Sequence, residues 1–338
     1  MAGMKPVIFG LSGPALTAEE RIFFAESNPA GYILFKRNIV DRAQVRALTD
    51  ALRALHGRDD LPVLIDQEGG RVVRIRPPVW PDFPAAATFD ALFERAPISA
   101  LEAVRVNARA IGLLLTEAGV NVNIAPVLDV RRAETHAAIG ERSFGSDPMR
   151  VASLGAAMLD GLRQAGVVGV IKHMPGQGRA TVDTHHHLPV VDATEADLAA
   201  DLFPFERLHH APMALTGHVI FSAWDSAHPA TMSATIIRDI IRGRIGFSGL
   251  LMSDDLDMAA LSGDMASRAM ACLMAGCDVA LHCSGKMDGM VAIADAVPTM
   301  TDRAGERLVA AMATISPVAD YAMIPALIAK RDELLALV

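Results

Sequence analysis

Residues 172–189, KHMPGQGRATVDTHHHLP, combine side chains that transfer protons with the glycines and prolines of a loop. Four of the chain's eleven histidines lie in this segment, together with Asp183. Asp183 and His185 are two residues apart, so the carboxylate can accept a hydrogen bond from one ring nitrogen while the other faces a substrate. A neighbouring carboxylate also raises the proton affinity of an imidazole. The spacing therefore predicts an acid/base pair in which Asp183 orients His185.

Two other interpretations of the histidine-rich loop are a solvated polar turn and a metal site. Adjacent residues such as those at 185–187 seldom converge on one ion, because their side chains point in different directions. We therefore expect neither a metal nor a cofactor. A metal-dependent hydrolase stays open as an alternative, and activity that survives exhaustive chelation would remove it.

A second candidate for chemistry is the acidic pair in the sequence SDDL at 253–256, at the end of an apolar run. Asp254 is expected to project into the site, whereas Asp255 is expected to cap the following helix. A carboxylate in the position of Asp254 can attack an electrophilic carbon, the use that retaining glycosidases make of one of their two carboxyl groups.

Eight short apolar runs, separated by longer amphipathic segments, predict the elements that position these residues. The runs are VIFG (7–10), GYILF (31–35), PVLID (62–66), VNVNIAPVLDV (120–130), VVGVIKH (167–173), MALTGHVI (213–220), GLLMSD (249–254) and DVALHC (278–283). Helix-like segments lie at 41–57, 98–119, 149–166, 233–246 and 265–277. The runs are continuously apolar, which is typical of parallel strands covered by helices.

Eightfold alternation of strand and helix favours an α/β fold, a (β/α)8 TIM-like barrel, over a doubly wound open sheet. Polar residues gather where the runs end, as they do at the rim of such a barrel. They are Asp66, Asp129, Lys172, His173, His218, Asp254, Asp255 and His282. We expect residues 1–338 to form a single domain, with trailing helices from about residue 301 packed on the outside.

The composition limits the partners and the compartment. A formal net charge of -8 argues against a nucleic-acid partner and favours a small or neutral substrate. Three cysteines without a CxxC pair indicate reduced thiols and a cytoplasmic protein. No apolar stretch approaches the roughly 20 residues of a membrane span, so we expect no membrane partner, and we expect a monomer.

The opening segment resembles the signature KH-F/I-PGHG-x4-DSH-x-x-LP of family 3 glycoside hydrolases, in particular the bacterial cytosolic β-N-acetylhexosaminidases. Further blocks are similar to that family in the same order along the chain. They are IDQEGGRVVR (65–74), NIAPVLDV (123–130), GERSFGSDP (140–148), TGHVIFSAWD (216–225), HPATMS (228–233) and GFSGLLMSDDLDM (246–258).

The resemblance implies that Asp254 is the nucleophile and that His185, oriented by Asp183, is the acid/base. It assigns sugar binding to Asp66, Arg74, Arg142, Lys172 and His173. Asp129 and His218 are weaker candidates that would brace these residues.

The implied activity is that of a retaining exo-β-N-acetylglucosaminidase. It would remove terminal N-acetylglucosamine from peptidoglycan fragments, in which the sugar is β-1,4-linked to 1,6-anhydro-N-acetylmuramic acid with or without a peptide, in cell-wall recycling. The alternatives are a β-glucosidase or broader hexosaminidase of the same fold, and a sugar-binding protein without catalysis.

The sequence departs from the family signature at two positions in the loop. Gln177 replaces the second histidine of PGHG, and Thr184 replaces the serine of DSH. Thr184 keeps the hydroxyl, whereas Gln177 keeps hydrogen-bonding capacity but does not titrate. We therefore expect the chemistry to be retained and the loop conformation to be affected.

Overall fold

A closed barrel of eight parallel strands forms the centre of the molecule, a computed structural model that describes residues 3–184, 186–316 and 320–337. The strands are β1 (Lys5–Gly10), β2 (Pro29–Leu34), β3 (Val63–Ile65), β4 (Val122–Asn123), β5 (Val168–Met174), β6 (Met213–Thr216), β7 (Leu250–Asp255) and β8 (Val279–His282). Each strand pairs with its neighbours in chain order, and β8 closes the barrel on β1. The predicted (β/α)8 barrel is confirmed.

Strand residues alternate between two apolar clusters, which explains why the runs are continuously apolar. Ile8 points into the barrel interior with residues such as Val170 and Met252. Its neighbours Val7 and Phe9 belong to the cluster between the barrel and the helices. Both faces of each strand are therefore buried, as a barrel covered by helices requires.

Helices follow the strands and pack on the outside of the barrel. They are α1 (Ala18–Ser27), α2 (Arg42–His56), α3 (Ala86–Arg95), α4 (Pro97–Glu117), α5 (Pro148–Gln164), α6 (Glu195–Arg207), α7 (Met265–Ala275), α8 (Met287–Ala296), α9 (Asp302–Met312) and α10 (Ile324–Leu335). A π-helical segment, Ile236–Arg244, precedes β7. Local signals set the ends: Asp41 caps α2, and Gly57 ends it in the left-handed conformation.

Two of the predicted strands are much shorter than the sequence indicates. The run 120–130 forms the two-residue β4, after which the regular ladder is interrupted and pairing with β5 resumes at the bridge between Val127 and Lys172. The run 213–220 leaves the barrel after Thr216, and Ile220–Phe221 instead pairs with Val190–Val191 outside it. Both interruptions bring polar residues over the C-terminal end of the barrel.

Candidate active site

A cavity of about 230 Å³ lies at the C-terminal end of the barrel, where the strand ends meet. Six of the residues predicted to act on substrate line it together: Asp66, Arg74, Arg142, Lys172, His173 and Asp254. They come from the ends of β3, β5 and β7 and from the loops after β3 and β4. A larger depression of about 880 Å³ lies at the opposite end, where Gly119 and Gly166 precede their strands, and it holds none of these six.

Asp66 is held between two cations on one side of the cavity. Its Oδ2 accepts from Nη2 of Arg74 at 3.0 Å, and its Oδ1 accepts from Nζ of Lys172 at 3.1 Å. Burial alone would raise the pKa of Asp66, but Lys172 and Arg74 lower it well below its usual value. Asp66 is therefore ionised at neutral pH, and its two oxygens are fixed acceptors.

Glu68 pairs with two of the predicted sugar-binding cations, and the sequence analysis did not single it out. Arg142 donates from Nε and Nη2 to its two oxygens, both at 2.8 Å, and Nζ of Lys172 lies 2.5 Å from Oε1. Burial opposes ionisation, but Arg142 and Lys172 lower the pKa of Glu68 to about 2. Glu68 thus fixes both cations through a permanent negative charge.

Asp129 supports His173 from below the cavity. Its Oδ2 lies 2.7 Å from Nδ1 of His173, and its Oδ1 accepts from the backbone N–H of Gln177 at 2.7 Å. Because a carboxylate accepts, Nδ1 of His173 carries the proton, and Nε2 is the remaining polar atom of the ring. Asp129 is fully buried, so it orients the cavity residues and does not line the cavity itself.

Asp254 and Asp255 are the last two residues of β7, and both line the cavity. Oδ1 of Asp254 accepts from the backbone N–H of Asp255 at 2.8 Å. The expectation that Asp255 caps a helix is wrong, because the next helix, α7, begins ten residues later and is capped by Asp264. Asp255 instead accepts from the backbone N–H groups of Asp257 at 3.0 Å and Cys283 at 3.2 Å. Burial raises the pKa of Asp255 to about 6.

His218 is buried behind the acidic pair and bonds the backbone there. Its Nε2 lies 3.0 Å from the carbonyl oxygen of Asp255, and its Nδ1 lies 2.8 Å from Oγ1 of Thr231. Because a carbonyl oxygen only accepts, Nε2 carries the proton and Nδ1 accepts from the hydroxyl. Burial lowers the pKa of His218, which keeps the ring neutral. His218 therefore fixes the backbone next to Asp254.

Part of the loop after β5 reaches the same cavity, next to the predicted acid/base residues. Thr184 lines the cavity and is buried, and the neighbouring Asp183 accepts at its carbonyl from the N–H groups of His186 and His187. His185, the predicted acid/base, lies outside the described residues. Arg179 anchors the first half of the loop by donating from Nε to Oδ2 of Asp201 on α6 at 2.7 Å.

Metal-binding clusters and membrane-spanning helices are both absent from the part of the chain that the structure describes. Among residues 3–184, 186–316 and 320–337, no group of three or more histidine, cysteine, aspartate or glutamate side chains is arranged to hold a metal ion. None of the helices described is both long enough and apolar enough to cross a membrane.

The cavity at the C-terminal end of the barrel is surrounded by carboxylates, cations and an imidazole. These are the groups that a glycoside hydrolase of the (β/α)8 fold uses. Comparison with known proteins defines the family. The Glycosyl hydrolase family 3 N terminal domain matches residues 7–315. The Beta-hexosaminidase of Alkalilimnicola ehrlichii is 39% identical over 290 residues, which are 83% of this chain and 81% of the relative.

Solved structures agree with the sequence comparison. The chain superposes on native NagZ from Neisseria gonorrhoeae with a TM-score of 0.87 and 29% identity, covering 99% of this chain and 98% of that one. A complex of the same protein with N-trifluoroacetyl-D-glucosamine also superposes with a TM-score of 0.87, at 28% identity and the same coverage. The chain therefore belongs to glycosyl hydrolase family 3 and, within it, to the β-N-acetylhexosaminidases, which confirms the predicted family and enzyme class.

Proposed function

We propose that this β-N-acetylhexosaminidase is a retaining exo-enzyme that releases terminal N-acetylglucosamine from peptidoglycan fragments. The observation that carries the proposal is the convergence of Asp254 with the ion-paired Asp66, Arg74 and Lys172 on one cavity. The volume of about 230 Å³ lies below the roughly 300–1,000 Å³ of sites for larger ligands. One sugar ring fits that volume better than a chain of rings, which supports exo action.

In the proposed reaction the Asp254 carboxylate attacks the anomeric carbon and forms an ester bond as the glycosidic bond breaks. The leaving oxygen takes a proton from His185, which Asp183 orients. Water then attacks the same carbon, His185 accepts its proton, and Asp254 leaves as a carboxylate. Because each displacement inverts the anomeric carbon, the two together retain its configuration. The role of His185 rests on the family signature and on the contact of its neighbour Thr184 with the cavity.

Asp66, Arg74, Arg142, Lys172 and His173 are proposed to bind the sugar ring. Their ion pairs fix acceptors and donors before substrate arrives, so little ordering remains for binding to accomplish. The N-trifluoroacetyl-D-glucosamine bound to the Neisseria gonorrhoeae protein supports an N-acylated sugar as the ligand. Cell-wall recycling by a monomer in the cytoplasm completes the proposal, and three free, buried cysteines agree with a reducing compartment.

Replacing the proposed nucleophile tests the mechanism. Asp254→Asn is expected to lower kcat/KM for an aryl N-acetyl-β-glucosaminide by at least about 10³-fold, since the variant cannot form the ester. The exposed Asp192, which does not line the cavity, offers a matched control, because Asp192→Asn makes the same substitution outside the proposed site. Undiminished turnover by Asp254→Asn would remove this residue from the mechanism.

The sugar specificity is tested separately with two aryl substrates. Hydrolysis of the aryl N-acetyl-β-glucosaminide is expected to exceed that of the matching β-glucoside by at least about 100-fold in kcat/KM, because a site built for the acetamido group loses its hydrogen bonds to the analogue. Equal rates would favour the broader alternative. Cleavage of N-acetylglucosaminyl-1,6-anhydro-N-acetylmuramic acid, measured by mass spectrometry, tests the natural substrate class.

A further inference from the structure

The two positions at which the loop departs from its family signature are hydrogen-bonded to each other. Nε2 of Gln177 donates to Oγ1 of Thr184 at 3.1 Å. Both side chains are only 3% exposed, and both line the cavity. Two buried residues that meet at the cavity indicate a joint role, since each supplies what the other needs: a donor that does not titrate and a hydroxyl acceptor.

Gln177 is a fixed support for this contact. Its backbone N–H donates to Oδ1 of Asp129 at 2.7 Å, and its carbonyl accepts from the N–H of Ala180 at 3.0 Å. The same Asp129 holds Nδ1 of His173 at 2.7 Å. Gln177 is thereby connected through Asp129 to His173 of the proposed sugar site. Its side chain in turn bonds Thr184 in the second half of the loop.

The oxygen of the Gln177 carboxamide differs from its amino group in having no hydrogen-bond partner in the part of the chain that the structure describes. This oxygen, Oε1, is buried. It lies against Gly217, where an added Cβ would be 3.2 Å from Oε1. A chain does not generally keep a buried amide oxygen unpaired when an apolar side chain could fill the space. The bond from its amino group to Thr184 is the hydrogen bond that the Gln177 side chain makes among the described residues.

We propose that Gln177 and Thr184 form a positioning pair that holds Asp183, the residue next to Thr184, for proton transfer to the leaving group. The inference rests on the proposed function, in which this segment supplies the acid/base. Proton transfer requires hydrogen-bond distances, and a misplacement of about 1 Å costs roughly 100-fold in rate. Because a carboxamide does not titrate, the pair holds the loop equally well at every pH at which the enzyme is folded.

Thr184→Val tests the pair, because valine keeps the shape of threonine and removes the acceptor. The readout is kcat/KM for two N-acetyl-β-glucosaminides that differ in leaving group. A phenyl or alkyl leaving group needs a proton, whereas 2,4-dinitrophenolate leaves without one. Thr184→Val is expected to lower kcat/KM by about 10- to 100-fold for the first kind and by less than about 3-fold for the second.

Four further variants complete the test. Thr184→Ser restores the hydroxyl and is expected to recover wild-type values, and Thr181→Val makes the same substitution at an exposed position of the same loop, where no effect is expected. Gln177→Leu breaks the contact from the other side and repeats the leaving-group pattern if Thr184→Val does not fold. The double variant is expected to match either single one, because the bond is lost once.

The outcomes separate this inference from the function on which it rests. Wild-type enzyme that cleaves neither substrate would refute the proposed function. Wild-type enzyme that cleaves both, with Thr184→Val and Gln177→Leu slowing both equally or slowing neither, would overturn the positioning pair alone. A loss confined to the poor leaving group, with rescue by Thr184→Ser, supports it.

Discussion

Substitution of Glu68 by glutamine probes the ionic support of the sugar site. The side chain is 8% exposed and carries its charge between Arg142 and Lys172. Glutamine keeps the shape and an acceptor oxygen but leaves two buried cations without their shared anion. Removal of one partner from such a buried cluster is strongly destabilising.

The magnitude follows from the pKa of Glu68, which lies at about 2 instead of the usual 4.5. The difference of 4.5 − 2 = 2.5, at 1.36 kcal/mol for each pKa unit, is about 3 kcal/mol of folding stability at pH 7. The pKa of Arg142 is raised by the same pair, so that shift describes the same interaction and is not added. Because the folded-state pKa is depressed, the stabilisation is complete above pH 4.5 and falls to about half near pH 3.

Denaturant unfolding of wild type and Glu68→Gln at pH 7 measures this difference directly. The matched control is Glu333→Gln, because Glu333 pairs with Lys330 at 3.0 Å but is 71% exposed, and its loss is expected to change stability by less than about 0.5 kcal/mol. The KM of Glu68→Gln is expected to rise as Lys172 and Arg142 lose their support. A Glu68→Gln protein within about 0.5 kcal/mol of wild type at pH 7 would refute the reasoning.

Two further perturbations test the walls of the site. The pKa of Asp255 is raised to about 6, so its ionised form destabilises the fold above pH 6 and not below pH 4. The free energy of unfolding of Asp255→Asn, relative to that of wild type, is therefore expected to rise by up to about 3 kcal/mol between pH 4 and pH 8, as measured by thermal unfolding. A difference in stability that does not change with pH would contradict this. An added Cβ at Gly178 would lie 1.9 Å from the carbonyl oxygen of Val130. Gly178→Ala is therefore expected to displace the base of the loop and lower stability by about 1–3 kcal/mol along with activity, whereas Gly13→Ala, where nothing lies within 4 Å, is the control and should have little effect.

The strand ends were predictable from the sequence because the barrel imposes a simple rule. Parallel strands that are buried on both faces read as apolar runs, and the polar residue that ends a run lies at the rim. Asp66 after β3, Lys172 and His173 at the end of β5, and Asp254 on β7 all follow this rule and line one cavity. Arg74 and Arg142 lie in loops, where periodicity carries no information, so only the family resemblance indicated them.

Other features depend on contacts between distant residues. Glu68 lies three residues after the end of β3, where a charged residue is usually solvent-exposed, yet its partner Arg142 lies 74 positions further along the chain. Asp255 was predicted to cap a helix because acidic residues after strands do so, but the chain first makes turns and α7 begins only at Met265. The bond between Gln177 and Thr184 required the loop to fold back on itself, which neither departure reveals alone.

Trapping of the glycosyl-enzyme tests the central claim most directly. A 2-deoxy-2-fluoro or 5-fluoro sugar slows the second displacement more than the first, so a retaining enzyme accumulates its covalent intermediate. Mass spectrometry of the quenched, digested protein is expected to find the sugar on Asp254 and to find none in the Asp254→Asn variant. An intact enzyme that turns over the aryl N-acetyl-β-glucosaminide while the adduct forms on another residue, or on none, would contradict the account.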